Sequence, residues 1–176
     1  MGAWPELDTE INVNVDTSDL DQLIDLINSS DLSEVFAPAT EIFTDLKKGI
    51  EDGSSKGAKE LAERTKSLQE LTIGLNGSIA RGALLNSINV EETGDRSYLV
   101  GTSIEHFYPL TIEKGRGAVV PVTKKFLHYY TLSGVEIFSK YSSPTSPKPF
   151  VELAYQQVLG EAEDIIWRNI ANVTDR

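Results

Sequence analysis

The chain carries two imidazoles, His106 and His128, and an enzyme built on it would need one of them or a pair of carboxylates. His106 follows Glu105 and lies upstream of Glu113, and either acid is a candidate to orient it as a general base. No nucleophile is marked beside it: the chain has no Ser-x-x-Lys and no cysteine. A small hydrolase using His106 is therefore the third of three readings. His128 sits in a predicted strand among aromatic residues, which points to a structural role. Glu91 and Glu92 are neighbours in a predicted strand, so their side chains leave on opposite faces and cannot work as an acid–base pair. There is no Gly-x-x-x-x-Gly-Lys-[Ser/Thr] phosphate loop, and Gly74, Gly77 and Gly82 lack the dinucleotide-binding spacing. Without cysteine there is no disulfide, thiolate zinc site or iron–sulfur cluster, and two widely separated histidines argue against a histidine-built metal site. The expectation is a non-enzyme with no cofactor and no metal.

The carboxylates supply electrostatics instead. Residues 1–46 hold eleven acids (Glu6, Asp8, Glu10, Asp16, Asp19, Asp21, Asp25, Asp31, Glu34, Glu41, Asp45) and no Lys or Arg, whereas residues 47–176 hold 16 acids and 16 bases. The N-terminal quarter thus carries the whole net charge of −11. Such a face is a solvated helix surface, a wall that repels nucleic acid, or a dock for a basic partner. Asp16, Asp19, Asp21, Asp25, Asp31 and Glu34 are the candidate channel or docking acids. An electroneutral remainder argues against non-specific DNA binding by the whole chain. At 176 residues with 40% apolar and 24% charged side chains, the composition is that of one globular domain with a real core. No apolar run approaches the ~18 to 20 residues of a membrane span, and the start lacks a basic n-region, so a soluble cytosolic chain without membrane contact is expected.

The elements that would position these residues are read from periodicity. Ile11, Val13 and Val15 alternate with polar residues, predicting a strand at about 10–16. Thr17 or Ser18 then caps a helix with Leu20, Leu23, Ile24 and Ile27 on one face. Asn28-Ser29-Ser30 ends it, and Asp31 with Glu34 reads as an acidic capping box. A second helix carries Val35, Phe36, Ile42, Phe43, Leu46 and Ile50, with Pro38 as a kink or as its true start. Asp52–Ser55 reads as a loop, although whether Gly53 interrupts one long helix stays open; the pattern resumes with Ala58, Leu61, Ala62, Leu68 and Leu71. Residues 74–82 are irregular. Leu84, Ile88 and Val90 line one side of an extended run, Thr93-Gly94-Asp95 turns it, and 97–101 returns as its partner. Residues 103–114 fit one or two helical turns closed by Gly115. Residues 124–132 and 135–141 form a hairpin around Ser133-Gly134; if the loop is two residues, Leu132 faces Val135, Tyr130 faces Ile137 and Tyr129 pairs with Phe138 on the other face. Pro149 opens a final helix with the stripe Val151, Ala154, Tyr155, Val158, Ala162, Ile165, Ile166 and Ile170. The fold class is α+β: a small, mostly antiparallel sheet with a long hairpin, packed by N-terminal helices and a C-terminal helix. The organisation is one domain over 1–176, with an acidic strand-plus-helical part (1–72) and a part holding sheet, hairpin and last helix (73–176).

Three segments in fixed order carry a resemblance. They are Arg81-Gly82-Ala83-Leu84-Leu85-Asn86-Ser87-Ile88; then Leu99-Val100-Gly101-Thr102 with Phe107-Tyr108-Pro109 and Glu113-Lys114-Gly115-Arg116-Gly117; and Pro147-Lys148-Pro149-Phe150-Val151-Glu152-Leu153-Ala154. The series resembles the tail-completion and head–tail joining (neck) proteins of tailed bacteriophages, a group that includes minor tail protein Z and the phage virion morphogenesis proteins. Their pattern runs roughly TGxLxxSI, then VGT with YAxxxExG, then RPFLxxA before a C-terminal helix. The match covers about residues 80–165 and departs from the pattern at Arg81, Pro109 and Lys114. Its residues are Gly82, Leu84, Ser87, Ile88, Gly101, Tyr108, Glu113, Gly115, Pro149 and Phe150, all read as architectural.

The resemblance implies a structural virion protein of the phage neck or head-proximal tail end. Such proteins form rings of themselves, commonly hexamers, against a tail terminator or tail tube protein and a head-completion protein. Genomic DNA would pass through the lumen without specific binding, and the acidic quarter would line or rim it. The location implied is the virion, with the host cytoplasm during assembly. The alternative from another class is an acidic protein-binding module or inhibitor, a DNA mimic held by a basic nucleic-acid enzyme.

Overall fold

A computed structural model of the chain describes residues 7–31, 33–76, 82–105, 108–130 and 134–174. The fold is α+β, with four α-helices and two small antiparallel sheets among the described residues. In chain order the elements are β1 (Thr9–Asn12), α1 (Ser18–Asn28), α2 (Ser33–Leu75), β2 (Ile88–Gly94), β3 (Ser97–Thr102), α3 (Tyr108–Lys114), β4 (Leu127–Tyr130), β5 (Glu136–Ser139) and α4 (Val151–Thr174). One sheet has the order β1-β3-β2 and the other pairs β4 with β5. The chain divides into two compact units, the first comprising residues 1–9, 64–90 and 100–157 and the second residues 10–63, 91–99 and 158–176.

The first unit buries Leu7, Leu68, Ile73, Leu84, Ile88, Val100, Phe150 and Ala154. Leu84 has helical torsions and Leu85–Ser87 form a 3-10 turn, so the extended run expected from Leu84 onward begins only at Ile88. The hairpin is present, but one residue out of the expected register: His128 faces Phe138, Tyr129 faces Ile137 and Tyr130 faces Glu136. A two-residue loop at Ser133-Gly134 would set Tyr129 against Phe138. The observed pairing needs an odd-length connection, and Gly134 accordingly adopts φ +82 near its end. A one-residue slip exchanges the two faces of a strand, so the aromatic partners change with it. Pro149 stands two residues ahead of the first position of α4, because the helix starts at Val151; Ala154 N–H donates to the Phe150 carbonyl, which makes Phe150 the cap.

The second unit is helical, with the β2–β3 turn at Asp95-Arg96, where Arg96 takes φ +55. The loop expected at Asp52–Ser55 does not exist: α2 runs through it unbroken. Gly49, Gly53 and Gly57 recur every four residues and face Thr174, Ile170 and Ile166 of α4. A Cβ on Gly53 would lie 2.5 Å from the Ile170 Cα. Glycine costs about 1 kcal/mol in a helix interior, and here it permits backbone-to-backbone approach of two antiparallel helices. Buried Ser54 fits the same helix by donating its hydroxyl to the Ile50 carbonyl at 2.6 Å. Glu60 holds Arg168 and Asn169 on the flank of this pair. Pro38 lies inside α2 and does not start it.

Candidate functional site

The residues carrying the resemblance meet in the first unit. Ser87 and Thr102 hydroxyls are 2.7 Å apart and buried, and Ser103 N–H donates to the Ser87 carbonyl at 3.0 Å. This ties the 3-10 turn ahead of β2 to the end of β3. Gly82 adopts φ +67 at the entry of that turn. Gly101 lies against Asp8, where a Cβ would fall 1.9 Å from a carboxylate oxygen.

Glu113 makes the central connection. It is only 9% exposed. One carboxylate oxygen accepts the N–H groups of Phe150 at 2.6 Å and Val151 at 3.1 Å, and the other accepts that of Glu152 at 3.2 Å. These are the unsatisfied donors of the first turn of α4. A carboxylate placed there meets the positive end of the helix and forms charge-assisted hydrogen bonds. Lys148 N–H donates to the Ile112 carbonyl at 2.8 Å, and Arg116 and Thr145 exchange backbone hydrogen bonds. Gly115 takes φ +70, and a Cβ there would come within 2.6 Å of the Thr145 carbonyl oxygen. The Glu-x-Gly and Pro-Phe segments are therefore two halves of one joint. The departures at 109 and 114 are compatible with it: Pro109 is buried in the first turn of α3, where its missing N–H is harmless, and Lys114 is exposed in the last turn. Arg81 and Phe107 lie outside the described residues.

No catalytic constellation emerges from these positions. Both oxygens of Glu113 are occupied as a cap. His106 lies outside the described residues, so its pairing with Glu105 or Glu113 has no geometry to report. His128 stacks on Phe138 with centroids 4.7 Å apart, touches Tyr130 edge-on, and sets its Nε2 2.7 Å from a Glu136 carboxylate oxygen, all at the surface. Glu91 and Glu92 are both exposed on β2. Among the described residues no group of three His, Asp or Glu side chains is placed to hold a metal ion, and no helix is long and apolar enough to cross a membrane.

The acidic candidates spread along α1 and the start of α2. Asp16 caps α1: its carboxylate accepts the Ser18 N–H at 2.9 Å, and that bond with the Ser18 hydroxyl holds its pKa below the usual carboxylate value. Thr17, one of the two expected caps, stands at the cap position but makes no such bond with its side chain. Asp21 forms a 2.6 Å ion pair with Lys47 of α2, which raises the lysine pKa. Asp19, Asp25, Asp31 and Glu34 are exposed. The capping box does not form, because α2 starts at Ser33 and Asp31 stands ahead of the cap position.

Sequence reasoning missed the exposure of the surrounding apolar residues. Val35, Phe36, Ile42 and Leu46, read as apolar positions of the second helix, are exposed, and α1 has no buried residue. Leu71, read in the resumed helical pattern, and Tyr155, read in the apolar stripe of the last helix, are exposed as well. Comparison with protein-family models, curated proteins and solved structures returns no match to this chain.

Proposed function

We propose that this chain is a structural subunit of the neck, or the head-proximal tail end, of a tailed bacteriophage. In this reading it forms a closed ring that completes the tail and joins it to the head. The observation that supports the reading is the joint itself. Residues of the three ordered segments hydrogen-bond to one another through Ser87–Thr102 and Glu113 with Phe150, Val151 and Glu152, and Lys148 N–H reaches the Ile112 carbonyl beside them. Those residues close elements onto one another, as a fold signature should. A ring subunit needs two different surfaces that match across a rotation, and both must lie outside this frame. In the assembled neck its neighbours would be a tail terminator or tail tube protein on one side and a head-completion protein on the other. DNA would cross the lumen without specific contact.

The test is native mass spectrometry of the purified chain, alone and with isolated phage tails. A discrete closed oligomer, or capture on one end of the tail, is the expected result. A chain that ignores tails and heads but binds a basic nucleic-acid enzyme stoichiometrically would overturn the neck reading in favour of an acidic inhibitor.

A further inference from the structure

Two stretches of this chain have no buried residue among those described. In the acidic one, α1 has no buried residue and neither has α2 from Ser33 through Lys48. In the other, no described residue from Lys114 through Pro149 is buried, a span that includes both strands of the hairpin. Their charges are opposite. Residues 115–149 contain Arg116, Lys124, Lys125, Lys140 and Lys148 against the single acid Glu136, while residues 18–48 contain seven acids (Asp19, Asp21, Asp25, Asp31, Glu34, Glu41 and Asp45) against Lys47 and Lys48. Both stretches also expose large apolar side chains: Leu26 at 67%, Val35 at 70% and Ile42 at 64% on the acidic one, Tyr130 at 61% and Phe138 at 59% on the hairpin. Lys125 and Lys140 each hold an ammonium within 6 Å of the Phe126 ring, at 5.8 and 5.9 Å, so cations and aromatics are interleaved there.

A solvated face, or a wall that repels DNA, has no use for exposed leucine, valine and isoleucine. Clustered apolar side chains rimmed by charge mark a protein contact. A two-stranded hairpin with no buried side chain among its described residues is marginally stable in water and gains by being covered. Each surface offers what the other lacks, and every copy of the chain brings both in equal number. We propose that the β4–β5 hairpin of one copy docks on the acidic face formed by α1 and the first turns of α2 of a second copy. Lys124, Lys125 and Lys140 would then meet carboxylates such as Asp25, Glu41 and Asp45, and the hairpin aromatics would cover the apolar residues between them. The contact is heterologous, leaving one face of each kind open, so it propagates until a rotation closes it. This deepens the ring reading by naming its two surfaces and rests on that reading only for closure.

Because the chain has no cysteine, the contact can be trapped without background. Leu26→Cys and Tyr130→Cys are made separately, mixed in equal amounts and joined with a short flexible bismaleimide. Each variant has one thiol, so a mixed dimer is intermolecular by construction. The expected result is a mixed dimer well in excess of either homodimer. Reversing Lys124, Lys125 and Lys140 to Glu in the hairpin variant should weaken association on the order of a hundredfold, the sum of three surface pairs turned repulsive. Reversing Asp25, Glu41 and Asp45 to Lys in the partner should restore it, a rescue that misfolding cannot mimic. No mixed dimer above the homodimer level, or charge reversal without effect, overturns the proposal. Binding of the same proteins to phage tails separates the two readings. Cross-linking without tail binding leaves the contact standing and removes the neck; tail binding without cross-linking does the reverse.

Discussion

Replacing Glu113 tests the joint directly. Glu113→Ala removes the acceptor for three backbone donors at the start of α4. The donors are not equivalent. Phe150 is 1% exposed and Val151 is buried, so neither N–H has ready access to water, while Glu152 is exposed and its N–H can turn to solvent. Two orphaned buried donors cost about 1–3 kcal/mol each, and with the void left by the side chain the loss should be about 4 kcal/mol. At roughly 2–4 °C per kcal/mol for a chain of this size, the melting temperature falls by about 8–16 °C. Glu113→Gln keeps one oxygen for Phe150 and Val151 and sets an amide against the Glu152 N–H, so its loss should be about 1–2 kcal/mol. Glu113→Asp is too short to reach and should resemble the alanine variant. Urea unfolding followed by far-UV circular dichroism measures all three. An alanine variant within about 1 kcal/mol of the parent would refute the cap. A glutamine variant as damaged as the alanine one would show that charge, not hydrogen-bond acceptance, does the holding.

The other predictions concern single glycines and pH. Gly53→Ala should destabilise by about 1–3 kcal/mol, because its Cβ meets the Ile170 backbone at 2.5 Å and the overpacking outweighs the gain in helix propensity. Gly160→Ala, where a Cβ meets nothing within 4 Å, should stabilise by about 0.5–1 kcal/mol; thermal melts of the pair must move in opposite directions. Gly115→Ala combines φ +70 with a clash on the Thr145 carbonyl and should cost more than about 2 kcal/mol by urea titration, with Gly117→Ala as the open-space control. Tyr98 is pushed above its ordinary value of 10.0 by burial and by Glu92 and Asp95, and Lys47 above 10.5 by Asp21. Both contributions are complete below those values and vanish as pH rises through the folded ones, so stability falls from about pH 10 upward. Tyr98→Phe should flatten part of that fall in pH-dependent melts.

Much of the fold was legible because local pattern and tertiary packing agree. The α4 stripe of Val151, Ala154, Val158, Ile165 and Ile170 is buried as its spacing requires, and Gly115 and the β2–β3 pair stand close to where turn chemistry puts them. The failures share a cause: the deciding partner lies far away in sequence. Gly53 looks like a break until Ile170 is placed beside it. The first turn of α4 looks proline-led until Glu113 supplies its cap from another element. The hairpin register turns on a loop whose length parity cannot be read from Ser-Gly alone. Of the candidate residues, the joint was visible as an ordered series of motifs, but the bond that makes Glu113 and Phe150 one feature was not.

The apolar stripe of α1 and early α2 posed a different problem. Periodicity marks an amphipathic face but carries no information about whether its cover comes from the same chain. Leu20, Ile24 and Ile27 stay only half-buried, and Val35, Phe36 and Ile42 are open. If this face were a lumen wall, its carboxylates would be spaced by polar residues and repulsion would suffice. The interspersed valine, leucine and isoleucine make such a wall sticky to protein and give it no advantage toward DNA. A face that must stay dissociated before assembly gains from dense like charge, which opposes its pairing with itself while leaving pairing with a cationic surface downhill. That one chain carries both the acid-rich face and the lysine-flanked aromatic hairpin makes directional self-assembly the reading that accounts for the charge and the exposure together.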